Sequence, residues 1–99
     1  MKQVRDRTGR AWADQLELET GCWWLVLQIE ELVIAFYRGY WNTAGVYHSG
    51  NLHDPEPLWA CIRETQHQSR LWAARNGVRP VPPVLSEELP QALWRAAGR

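Results

Sequence analysis

Along the first half of the chain, hydrophobic and polar positions alternate in short runs, and this pattern predicts β-strands. Gln3 to Arg7 reads as a short polar strand, followed by a Thr8-Gly9 turn. Arg10 to Glu19 reads as a second strand. Trp12, Leu16 and Leu18 share one parity, with Arg10 and Asp14 as polar exceptions, while Ala13, Gln15, Glu17 and Glu19 take the other. Thr20-Gly21 supplies the next turn. Cys22 to Ile29 and Leu32 to Tyr40 give the third and fourth strands. On the third, Trp23, Leu25, Leu27 and Ile29 line one face, and Cys22, Trp24, Val26 and Gln28 the other. The fourth places Leu32, Ile34 and Phe36 opposite Val33, Ala35 and Tyr37. Strands apolar on both faces need cover on both sides. A single helix from Trp23 to Arg38 fits less well, because Gln28, Glu30 and Glu31 form no polar stripe at the helical period. Glu30-Glu31 is poor turn chemistry, which points to a longer or bulged hairpin there.

The second half changes period. Trp41 to His53 carries Gly45, Gly50, Asn42 and Asn51 and reads as a loop, with one strand from Gly45 to His48. Asp54, Pro55 and Glu56 then form a helix start: a cap, a first-turn proline and an acid at the positive end of the dipole. The predicted helix runs from Pro55 to Arg75 and ends at Asn76-Gly77. Its apolar stripe comprises Leu58, Cys61, Ile62, Thr65, Ser69, Trp72 and Ala73, with Arg63, His67, Arg70 and Ala74 opposite. Trp59 falls at the flank. Arg79 to Val84 holds Pro80, Pro82 and Pro83 and must be extended. Ser86 is positioned to cap a final helix from Glu87 to Ala97. The expected fold is a single α+β domain spanning residues 1–99. It has an antiparallel sheet of four to five strands packed on one long helix, with a short C-terminal helix.

Composition sharpens this picture at three points. With 99 residues, 45% of them hydrophobic, the chain supports one modest core. Eleven basic and eleven acidic residues cancel, so no global field draws the chain to nucleic acid or an anionic membrane. The charge is nevertheless segregated, with Lys2, Arg5, Arg7 and Arg10 ahead of an acidic run containing Asp14, Glu17, Glu19, Glu30 and Glu31. Residues 58–79 carry Arg63, Arg70, Arg75 and Arg79 against Glu64, and three net positive charges are few for a phosphate-binding surface. The apolar stretch from Cys22 to Trp41 is interrupted by Glu30-Glu31, which argues against a membrane span. A charged start without an apolar segment behind it leads to the expectation of a cytoplasmic chain. Cys22 and Cys61 are then expected as reduced, buried small hydrophobes.

Catalytic chemistry finds little support. There is no nucleophile elbow, phosphate-binding glycine loop or dinucleotide fingerprint. His48 and His53, with Asp54 adjacent, have a spacing that zinc ligands tolerate, but Cys61 and His67 fall on opposite helix faces and cannot share a metal. No metal and no cofactor are expected.

Aromatic content is the anomaly. Seven tryptophans, three tyrosines and one phenylalanine occupy a small domain. Each Trp buries up to about 250 Å². A core of this size cannot enclose all seven, so some must line a surface, a pocket or an interface. Ten of the eleven basic residues are Arg, and Trp, Tyr and Arg are the residue types that dominate interface energetics. Two functions follow. The first is a non-catalytic interaction protein, self-associating as a homodimer or binding a protein partner, with Trp12 and Trp24 at the interface beside Arg5, Arg7 and Arg10. The second is a small-molecule binder or enzyme with a pocket between sheet and helix, walled by Trp24, Tyr37, Tyr40, Trp41 and Tyr47, with His48 as its polar group.

Overall fold

The computed structural model describes residues 11–39 and 45–97. It contains a helix α1 (Ala11–Glu19), strands β1 (Trp24–Ile29), β2 (Leu32–Tyr37) and β3 (Tyr47–Asn51), a long helix α2 (Glu56–Asn76) and a short helix α3 (Gln91–Ala96). The architecture is α+β. The sheet has the order β1-β2-β3 with both pairings antiparallel. Among the described residues it has three strands, not four or five. The strand expected at Gln3 to Arg7 lies outside the described residues.

The second predicted strand is a helix. Trp12, Ala13, Leu16 and Thr20 are buried while Leu18 stands exposed. That is the spacing of a helical stripe rather than of alternating parity. Ala, Gln, Leu and Glu are strong helix formers, and Gln15 Nε2 donates to Glu19 Oε2 at 2.9 Å, one turn on. Past α1, Thr20 Oγ1 donates back to the Leu16 carbonyl at 3.0 Å. Gly21 and Cys22 both take positive φ, 74° and 65°.

The β1–β2 hairpin forms where alternation and β-branched residues predict it, with Trp24 opposite Tyr37 and Ile29 opposite Leu32. Its connection is tighter than the sequence suggests. Glu30 and Glu31 form a two-residue turn, with Glu30 at φ 54°. The third strand runs from Tyr47 to Asn51 rather than from Gly45 to His48.

Helix α2 ends as expected, with Gly77 in the left-handed region and its N–H on the Ala73 carbonyl. Its buried stripe is rotated from the predicted one. Leu58, Trp59, Ile62, Thr65, Gln66, Ser69 and Ala73 are buried, Trp72 is half-buried and Cys61 is exposed. The rotation follows from the extended segment 79–88, which runs back along the helix and has no partner strand. Its carbonyls still need donors, and side chains of α2 supply them. Trp59 Nε1–H donates to Ser86 O at 3.1 Å, Arg63 to Glu87 O at 2.7 Å, and Gln66 Nε2 to Pro83 O at 2.9 Å. Arg70 donates to Pro82 O. These donors recur at helical spacing, so they turn the Trp59–Gln66 flank inward.

The final helix starts after Pro90 rather than at Glu87. In a helix begun at Glu87, Pro90 would fall where a backbone N–H is needed, and it has none. It therefore sits extended at the cap position, ψ 144°. The core joins Trp12, Ala13 and Leu16 of α1 to Trp24, Val26, Val33, Ala35 and Tyr37 of the sheet. Leu58, Trp59 and Ile62 of α2 complete it with Leu89 and Leu93. Helix and sheet approach closely at Gly50: a Cβ there would stand 2.7 Å from that of Leu58. No helix among the described residues is long and apolar enough to cross a membrane.

Candidate functional site

Register and pleat assign every sheet side chain to one of two faces. The inner face carries Trp24 and Val26 of β1, Val33, Ala35 and Tyr37 of β2, and His48 of β3, beneath α2. Trp24 Nε1–H donates to Gln66 Oε1 at 2.8 Å, the Tyr37 hydroxyl bonds Ser69 Oγ, and His48 Nε2 lies 2.9 Å from Thr65 Oγ1. Burial lowers the His48 pKa below its ordinary value.

Three residues of the expected pocket therefore do meet. The Trp24 ring lies 4.9 Å from that of Tyr37 and 5.9 Å from that of His48. They do not wall a cavity, because Thr65, Gln66 and Ser69 of α2 fill the space between them. Tyr47 points to the other face, and Tyr40 and Trp41 lie outside the described residues. Two surface grooves flank α2. One, of about 230 Å³, is lined by Arg63, His67, Arg70 and Val84 among others, and the second lies between Trp59 and Trp94. Of the expected pocket residues that are described, Trp24, Tyr37, Tyr47 and His48, none borders either groove.

The expected interface residues are also placed differently. Trp12 and Trp24 are 1% and 0% exposed, enclosed by their own chain. Neither can be presented to a partner. Arg5, Arg7 and Arg10 lie outside the described residues. Of the other tryptophans, Trp59 is buried, and Trp23, Trp72 and Trp94 are half-buried. Cys22 and Cys61 are exposed free thiols rather than buried hydrophobes. Cys22 precedes the strand in a left-handed turn, and the rotation of α2 carries Cys61 to solvent. His48 and His53 do not converge: His53 Nε2 lies 2.9 Å from Glu31 Oε2 on the surface. Among the described residues no group of three or more His, Cys, Asp or Glu could hold a metal ion.

What remains open is the outer face of the sheet. Leu25, Leu27 and Ile29 of β1, Leu32, Ile34 and Phe36 of β2, and Tyr47, Ser49 and Asn51 of β3 line it. No position on it carries a formal charge. Leu25, Leu27, Ile29, Leu32 and Tyr47 are each at least 40% exposed. Phe36 and Tyr47 pair across the strands with ring centroids 5.8 Å apart. The α2 helix covers only the inner face. Helix α1 serves the β1 edge instead: Glu17 Oε2 accepts the Val26 N–H at 2.8 Å, and Gln28 Oε1 accepts the Ala13 N–H at 3.1 Å. A carboxylate at an edge strand blocks further strand pairing there. The alternation of Leu25, Leu27 and Ile29 with Leu32, Ile34 and Phe36 carries the sequence signal for this surface.

Comparison of the chain with protein-family models, with curated proteins and with solved structures finds no match in any of the three.

Proposed function

We propose that this is a non-catalytic interaction protein that self-associates by stacking the outer face of its sheet on the same face of a second copy. The observation that carries the reading is the exposed, charge-free row of Leu25, Leu27, Ile29 and Leu32 beside Tyr47. Taking about 200 Å² for a large side chain, the exposed fractions amount to roughly 500 Å², near the upper end of apolar patches on monomers.

A second copy suits this surface for a physical reason. A twofold axis brings each charge on an interface against the same patch of its partner, so a self-complementary face is best left uncharged. Two sheets stacked face to face interdigitate their inner side chains at about 10 Å separation. The patch with its polar rim falls at or below the roughly 800 Å² per partner of standard interfaces. The expected affinity is therefore micromolar, that of a reversible dimer.

Sedimentation velocity over a concentration series tests the reading. The wild type is expected to pass from monomer to dimer across the micromolar range. Leu27→Lys places a charge at the centre of the face and should stay monomeric with an unchanged circular dichroism spectrum. A wild type that remains monomeric at several hundred micromolar contradicts the proposal.

A further inference from the structure

The outer face carries no formal charge along its strands, and charged residues of opposite sign stand beyond its two ends. Glu30 and Glu31 form the hairpin turn at one end. Arg38 stands at the other, immediately beyond β2, with its N–H still on the Trp23 carbonyl at 2.9 Å. Alternation places Arg38 on the same side as Leu32, Ile34 and Phe36. Glu30 and Arg38 are both exposed, and neither side chain is in an ion pair among the described residues.

Resting on the self-association above, we infer that the two copies stack with their hairpins antiparallel, so that Glu30 of each lies against the partner's Arg38. Two twofold arrangements can close such a stack. An axis along the strands sets turn over turn, bringing Glu30 against the partner's Glu30, and Arg38 against the partner's Arg38. An axis across the strands sets the turn of one copy over the Arg38 end of the other. The first juxtaposes like charges at both ends and the second opposite charges at both ends. Apolar burial is similar in the two arrangements, so charge decides between them. The dimensions agree: six-residue strands span about 20 Å, so the ends of antiparallel hairpins coincide. Arg and Glu side chains are long enough to meet across sheets about 10 Å apart. Glu30 and Arg38 thus determine orientation rather than supply the bulk of the affinity.

Charge reversal tests the inference, with dimerisation measured by sedimentation at low salt. Glu30→Arg and Arg38→Glu each place like charges at both ends of the antiparallel stack. Each should weaken the dimer about fivefold or more, by the scale of exposed ion pairs. The double variant E30R/R38E restores both pairs and should recover wild-type affinity. Equimolar E30R and R38E, each weak alone, should form a heterodimer of wild-type strength or better. In 1 M salt the differences should shrink as the charges are screened. If the wild type dimerises but neither single reversal weakens it, the orientation is wrong while self-association stands. A monomeric wild type overturns both.

Discussion

Trp24 and Gln66, separated by 42 positions, are joined by a 2.8 Å hydrogen bond from the indole N–H to the amide oxygen. The same Gln66 amide donates to Pro83 O at 2.9 Å. One buried side chain thereby ties the sheet to the segment that wraps α2. Removing it leaves the Trp24 N–H and the Pro83 carbonyl without these partners. Gln66→Leu should destabilise the fold by about 1–3 kcal/mol. Trp24→Phe removes the donor as well, so the double variant should cost less than the sum of the singles. Urea melts of the four proteins give this coupling; strict additivity would show that the bond contributes nothing.

Glu17 guards the β1 edge through its 2.8 Å bond to the Val26 N–H. A hydrogen bond to a charged acceptor contributes about 1.5–3 kcal/mol. Glu17→Ala should lose much of that and also leave the edge open to strand addition. The expected result is a lower urea midpoint together with faster aggregation on heating. Glu17→Gln retains an acceptor and should fall between the two.

Cys22 is exposed and held at φ 65°. A non-glycine residue there carries a backbone cost of about 1–2 kcal/mol. Cys22→Gly should therefore raise stability by up to about 1 kcal/mol, the gain being offset in part by the greater freedom of glycine in the unfolded chain. Thermal denaturation under reducing conditions measures it, and a fall in midpoint would mean that the thiol makes a contact that outweighs the strain.

The features legible in the sequence are those set by neighbouring residues. Pro55 and Gly77 mark the ends of α2, and alternation from Leu25 to Phe36 marks the hairpin and the apolar outer face. Helix α1 is hidden because Trp12 and Leu16 share both a parity and a helical turn. Nine residues are too few to separate the two periods. The Glu30-Glu31 turn contradicts turn preferences because strand register imposes it. The fate of Trp24 depends on Gln66, a partner far along the chain, so its burial has no local signature. The rotation of α2 has the same origin, in the donors that Trp59 and Gln66 give to the segment beyond the helix.

His48 makes the sheet–helix seam sensitive to acid. It faces Thr65 Oγ1 and the Trp24 ring, and desolvation lowers its pKa below 6.5. A group whose folded pKa is depressed takes up its proton more readily in the unfolded chain. Its contribution is therefore complete above about pH 6.5, the ordinary histidine value. It is lost as pH falls through the lower folded value. Stability measured from pH 8 down to pH 5 should decline in the wild type, and His48→Gln should flatten that part of the decline. An identical pH dependence in the two proteins would mean that His48 contributes nothing to the acid sensitivity.

Isotope-filtered NMR reads out directly whether two copies bury the outer face of the sheet against each other. The sample mixes one labelled and one unlabelled population of the chain at several hundred micromolar. Intermolecular nuclear Overhauser effects should connect the methyl groups of Leu25, Leu27, Leu32 and Ile34 across copies, with none from Val26 or Val33 on the inner face. An absence of cross-chain signals from these outer-face methyls, with the chain tumbling as a monomer, would mean that the face is not a self-association surface.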